Sequence, residues 1–186
     1  IYRMNRDAVN SALYWLSSTV EATYARFFGA DTTERTIIAG DGTPKWVSNT
    51  FALGAAPYPQ ATRELAVPAP TSAPTAVINA PGTGTPAERY YVQTFVNDQG
   101  WESAPSTPSA ALLCNPNAVV DLTGLGAPPS GNYGFTLRRI YVTQPGVGSD
   151  VEFYFLREIP VATTTTQDDA RARGALLVTY DGTFGS

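Results

Sequence analysis

The sequence contains no histidine, one lysine (Lys45), one cysteine (Cys114) and one methionine (Met4). Without histidine there is no Ser-His-Asp triad, and the commonest general base and metal ligand is missing. A single cysteine excludes an intrachain disulfide. Its setting, Leu112-Leu113-Cys114-Asn115-Pro116, reads as a small core residue at a strand end rather than a reactive thiol. Charge is also scarce: 15% of the 186 residues are Asp, Glu, Lys or Arg, against roughly 25% in an average soluble domain. The 12 basic residues form no block and are outnumbered by 16 acidic ones, for a net charge of −4. Sequence-independent nucleic-acid binding works through clustered cations that displace counterions. Neither nucleic acid nor an anionic membrane surface is therefore an expected partner. No apolar run approaches the length of a membrane-spanning helix, no signal peptide is recognisable, and Ile1 in place of Met is expected of a trimmed or processed segment.

What is abundant points to β-structure. The chain is 43% hydrophobic and 11% aromatic, with 16 Gly and 15 Pro, so it can fill a sizeable core and make many tight turns. Low charge also suits a surface partly covered by partners, since an isolated monomer ordinarily carries more charge to stay dispersed. The fold class expected is all-β, with helical spacing only at Asp7–Leu13. An N-terminal β-rich segment (1–66) is expected to include a strand in the β-branched stretch after Ser18. It should also hold a hairpin, Arg35–Ala39 and Lys45–Ser48, closed by Gly40-Asp41-Gly42-Thr43-Pro44, whose glycines accept positive φ. Pro68, Pro70 and Pro74 mark an extended Pro-rich connector (67–75).

From Thr75 onward strands are expected at 75–79, 89–97, 109–114, 118–123, 134–143, 151–159 and 162–167, the count of an immunoglobulin-sized β-sandwich (76–170). Alternation puts Tyr90, Val92, Thr94 and Val96 on one face, and Tyr91, Gln93, Phe95 and Asn97 on the other. By the same count Phe135, Leu137, Arg139 and Tyr141 share a face, as do Phe153, Phe155, Arg157 and Ile159. Such strands should bury one face and leave the other partly polar. Residues 171–186 are expected to form a C-terminal tail or an added edge strand.

The segment Tyr90-Tyr91-Val92-Gln93-Thr94-Phe95-Val96-Asn97-Asp98-Gln99-Gly100-Trp101-Glu102-Ser103-Ala104-Pro105-Ser106 resembles the strand–turn–strand pattern of fibronectin type III modules. That resemblance implies a seven-stranded, fibronectin type III-like sandwich. In the usual module the pattern comes near the end, whereas here strands follow it. It either forms an early hairpin of a related sandwich or closes a module built from residues 14–109. The first is preferred, because the Pro-rich stretch would otherwise interrupt a domain. Over residues 31–170, the order of the hairpin, the Pro-rich stretch, this segment, Leu137-Arg138-Arg139-Ile140-Tyr141 and Phe153-Tyr154-Phe155-Leu156-Arg157-Glu158 is similar to tailed-phage and prophage virion proteins that carry such a sandwich. The C-terminal Ala175–Ser186 departs from that group. The resemblance implies a structural component of the tail, neck or fibre region, located in the virion and assembled in the bacterial cytoplasm. Its partners would be copies of itself and other virion proteins.

No catalytic residue, cofactor site or metal site is expected. Asp168 and Asp169 are adjacent on a strand, so they point to opposite faces and form no dyad; a solvated turn is the expected setting. Asp41-Gly42-Thr43 and Asp181-Gly182-Thr183 lack the further oxygen ligands of a calcium loop. Gly82-Thr83-Gly84 and Gly124-Leu125-Gly126 lack the strand-to-helix context of a phosphate loop. Nothing places Glu102 and Glu158 as a glycosidase pair. Glu158 beside Arg157, and Arg138 with Arg139, read as cross-strand charge pairs. The one residue that strand packing leaves unexplained is Trp101, which follows Gly100 in a turn. It is the candidate partner contact, with a glycan as the alternative ligand of a host-surface-binding module.

Overall fold

The computed structural model describes residues 2–4, 14–16, 21–25, 35–40, 42–48, 51–52, 61–143 and 152–169. The helix expected at Asp7–Leu13, the turn at Pro145–Gly148 and the tail strand expected after 171 lie outside the described residues. The architecture is all-β, and every strand pairing is antiparallel. The chain divides into two compact units: Ile1–Ala66 with Gly131–Tyr133, and Val67–Ser130 with Gly134–Ser186.

In the first unit β1 (Tyr2–Met4) pairs with β2 (Tyr14–Leu16). A four-stranded sheet runs β3 (Glu21–Ala25), β4 (Arg35–Ala39), β5 (Lys45–Ser48), β6 (Arg63–Glu64). The β4–β5 hairpin sets Ile38 opposite Lys45, with Gly40 and Gly42 at φ of 106° and 119°, a region closed to most side chains. Trp46 is fully buried, tilts against the Phe51 ring (5.6 Å) and carries the Arg35 guanidinium over its face (5.2 Å). Asn132 joins this unit by accepting from Glu64 N at 3.0 Å and from Arg63 Nη1 at 2.9 Å.

The second unit is a sandwich of two three-stranded sheets. One is ordered β14 (Thr166–Asp168), β11 (Val119–Thr123), β7 (Thr75–Ala80). The other is ordered β13 (Phe153–Pro160), β12 (Phe135–Thr143), β9 (Tyr91–Asn97). A short pair, β8 (Ala87–Arg89) with β10 (Leu112–Cys114), lies alongside. The sheets share one core of Tyr91, Cys114, Ala118, Val120, Leu122, Leu125, Ile140, Val142 and Leu156. Leu122, Leu125 and Ile140 are fully buried, each worth about 1.5–3 kcal/mol relative to exposure. The Pro-rich stretch is no free connector: Pro70 and Pro74 are buried, and Gln93 Nε2 donates to Ser72 O at 2.6 Å.

Two features depart from simple alternation. Register shifts interrupt β12 between Phe135 and Leu137, and the β12–β13 pairing at Ile140/Tyr141. The first lets Phe135 meet the inward Phe95 ring at 4.9 Å. The second sets Phe155 beside outward Tyr141 but Arg157 beside inward Ile140, so the face expected for β13 is split. The other departure is burial on both sides: β9 is buried at all seven positions, where one partly polar face was expected.

The edge of β9 is closed by an unusual return segment. Ser103, Ser106 and Ser109 each donate backbone N–H to the carbonyl of Phe95, Gln93 and Tyr91, at 2.8, 2.9 and 2.8 Å. Their hydroxyls accept from the N–H of the same three residues, at 2.9, 3.2 and 3.0 Å. Each hydroxyl also donates to the next carbonyl, Ala104, Thr107 or Ala110. The return chain thus advances three residues for every two of β9 and uses side-chain oxygens where a strand would use carbonyls. Pro105 and Pro108 fall between the rungs, where no N–H is called on. Proline discourages edge pairing; the serines restore it.

Candidate functional site

The turn that presents Trp101 is organised by Asn97. Its Oδ1 accepts from Gln99 N (3.0 Å) and Trp101 N (2.9 Å), while Gly100 takes φ of 79° and donates to Asn97 O. Trp101 is half-buried, and its carbonyl accepts from Asn97 N at 3.0 Å. Its backbone therefore has a local role, and part of the residue stays accessible.

The neighbouring Glu102 anchors a polar cluster on the outward side of the β9–β12–β13 sheet. Oε1 accepts from Tyr141 OH (2.6 Å) and Thr94 Oγ1, and Oε2 pairs with Arg139 Nη1 (2.7 Å). Arg139 also reaches Glu158 Oε2 at 3.0 Å, the cross-strand pair expected between β12 and β13. Burial disfavours the Arg139 charge, but the hydrogen bonds it donates to Glu158 and Glu102 outweigh that and hold its pKa above the ordinary value. Burial first, then Glu102, pushes the Tyr141 phenol well above its usual range. Three donors on one carboxylate make Glu102 a structural tie, with Tyr141 held protonated beneath it.

Two charged residues sit elsewhere than expected. Asp168 is fully buried, not in a solvated turn. On β14 it lies opposite Val120 and faces inward, where Oδ2 accepts from Tyr91 OH (2.8 Å) and stands 3.9 Å from Arg89 Nη1. Arg89, also fully buried, donates through Nη2 to the carbonyls of Asn115 (2.8 Å) and Pro116 (2.6 Å). Arg138 makes no surface charge pair either. It points inward beside Phe95 (5.3 Å to the ring centroid) and ties Gly126 O and Val161 O, at 2.7 and 3.1 Å. Burial lowers its pKa. Both arginines act as staples between a strand and nearby turn carbonyls.

No family model matches the chain, and no curated protein sequence is significantly similar to it. Among the described residues, no group of three or more His, Cys, Asp or Glu side chains is placed to hold a metal ion. None of their helices is long and apolar enough to cross a membrane.

The strand expected at 75–79 is present as β7, and what the sequence reading missed is its edge position. It is an edge strand, Thr75-Ala76-Val77-Ile78-Asn79-Ala80, and it pairs only with β11 among the described residues. Val77 and Ile78 are exposed, at 56% and 37%. On the outward face Val77 lies opposite Asp121. The Asp121 carboxyl is held below its ordinary pKa by hydrogen bonds from Asn79 Nδ2 (2.8 Å) and Gln167 Nε2 (2.6 Å). The available signal was the lack of any charge or proline inside 75–80, between Pro74 and Pro81.

Proposed function

We propose that this chain is a non-enzymatic structural component of a phage particle, in its tail, neck or fibre region, acting by packing against copies of itself and other virion proteins. The observation that carries the reading is the β7 edge, an uncharged strand left open among the described residues, which a protein partner would cover. Supporting it, Glu102, Asp168, Arg89 and Arg138 are all engaged as internal ties that stiffen the sandwich. The setting, with assembly in the bacterial cytoplasm and residence in the virion, is what the resemblance of residues 31–170 to tailed-phage virion proteins implies.

The test is an antibody against the chain, applied to particles released by the bacterium that encodes it. Gradient-purified particles should label at a fixed position along the tail, neck or fibre. Unlabelled particles would overturn the proposal. A second reading, a host-surface glycan module, rests on the accessible part of Trp101. Glycan-array binding that is lost in Trp101→Ala would favour it.

A further inference from the structure

We infer that β7 is a two-fold interface through which two copies of this chain join their β7–β11–β14 sheets into one. The inference rests on the building-block reading and names its first contact. Among the described residues the sandwich has four sheet edges, β14, β7, β13 and β9, and exposed edges invite pairing unless protected. The β9 edge is closed by the serine rungs. On β13, Arg157, Glu158 and Pro160 protect the edge. The β14 edge is three residues long, includes Asp168 and is followed by Asp169. Among the described residues only β7 has no such device: its six residues carry no charge and no proline. Of the three large hydrophobic residues exposed among the described residues, two are side by side on it.

A second copy is the occupant that fits. Antiparallel pairing about a two-fold axis normal to the sheet matches a strand with itself, and outward residues must then oppose outward residues. Centring the axis at Val77 sets Val77 against Val77, Ala76 against Ile78 and Thr75 against Asn79. No like charges meet, because the strand has none. Pro74 and Pro81 flank the strand at both ends, which limits the ladder to a length that an identical strand fills.

The experiment uses the full chain. Sedimentation should show a dimer, and Val77→Lys should halve the apparent mass while leaving the circular dichroism unchanged and, at low concentration where copies are separate, the melting temperature too. Directly opposed residues on paired strands lie about 4.5–5.5 Å apart at Cα, within disulfide range. Val77→Cys should therefore form a disulfide-linked dimer under mild oxidation. Gln167→Cys, on the far edge of the same sheet, should not, and the native Cys114 is buried. A monomer at every concentration, equal crosslinking of both variants, or a dimer that survives Val77→Lys would overturn the inference. Labelled particles with a monomeric chain would refute this edge alone. A Val77-linked dimer with unlabelled particles would refute the virion reading alone.

Discussion

The two sheets of the sandwich treat their outer surfaces oppositely. In the β9–β12–β13 sheet, outward-facing Val92, Thr94 and Val96 are buried, Tyr141 is tied to Glu102, and serine rungs close the β9 edge. In the β7–β11–β14 sheet, the outward face is the row of exposed Val77, half-buried Asp121 and exposed Gln167, and the β7 edge is open among the described residues. One sheet closes its β9 edge and covers the outward side of β9 within the chain. The other leaves hydrogen-bonding capacity for something else. Such a division suits a particle subunit, which needs a rigid body and an adhesive border.

The largest effect is expected where the two sheets are joined. Asp168 on β14 holds Tyr91 on β9 and faces Arg89, with both charged side chains fully buried. Asp168→Ala would strand a buried guanidinium, a loss of about 3–5 kcal/mol, and denaturant melts should show the midpoint fall accordingly. A loss under about 1 kcal/mol would mean that the core alone joins the sheets.

Next comes the closed edge itself. Ser106→Ala removes the acceptor of the buried Gln93 N–H while leaving the backbone bond, and should cost about 1–3 kcal/mol. The exposed Thr107→Ala should stay within about 0.5 kcal/mol. Similar values for the two would show that the hydroxyl rungs contribute little and that proline-set backbone shape closes the edge.

The same contrast explains what could be read from the sequence. The β4–β5 hairpin was legible because glycines, prolines and β-branched residues are local signals, and most strands from Thr75 onward were legible because turns punctuate them; the strand expected at 162–167 overlaps β14 (Thr166–Asp168) only at its end, and the one expected at 89–97 is split into β8 and β9. The serine rungs were half legible: Ser103, Ser106 and Ser109 recur every third residue, a period that fits neither strand nor helix and that fibronectin-like spacing masked. The inward turn of Asp168 was not legible, since it depends on β14 choosing β11 as neighbour and on the register of that choice. The bulges in β12 and β13 reverse faces through one inserted residue, so alternation counted along Phe153–Ile159 was bound to misplace half of that strand. Trp101 stood out correctly as a turn residue, yet its backbone is already used by Asn97.

A smaller effect should appear only at high pH. The Tyr141 phenol holds its proton more tightly in the folded chain than in the unfolded one, through burial and Glu102. Below about pH 10, the ordinary tyrosine value, both states keep the proton and the contribution is intact. Above it the unfolded chain ionises first, and stability falls as the pH climbs toward the raised folded value. Tyr141→Phe should lessen that alkaline loss, and ultraviolet titration should show Tyr141 ionising last or only on unfolding. An unchanged alkaline slope would detach Tyr141 from the rigid sheet.

The finest test makes one substitution on both outer surfaces. Val92→Thr puts a hydroxyl on the outward side of β9, where the residue is 2% exposed. Without a partner there, that group should cost about 1–3 kcal/mol. Val77→Thr puts the same hydroxyl on β7, where water reaches it, and threonine suits a strand as well as valine does. The stability of the single chain should then move by no more than about 0.5 kcal/mol. Paired melts at low protein concentration, where copies are separate, measure the two directly. If Val77→Thr costs as much as Val92→Thr under those conditions, the β7 surface is already covered from within the chain, and the contrast between a closed sheet and an open one fails.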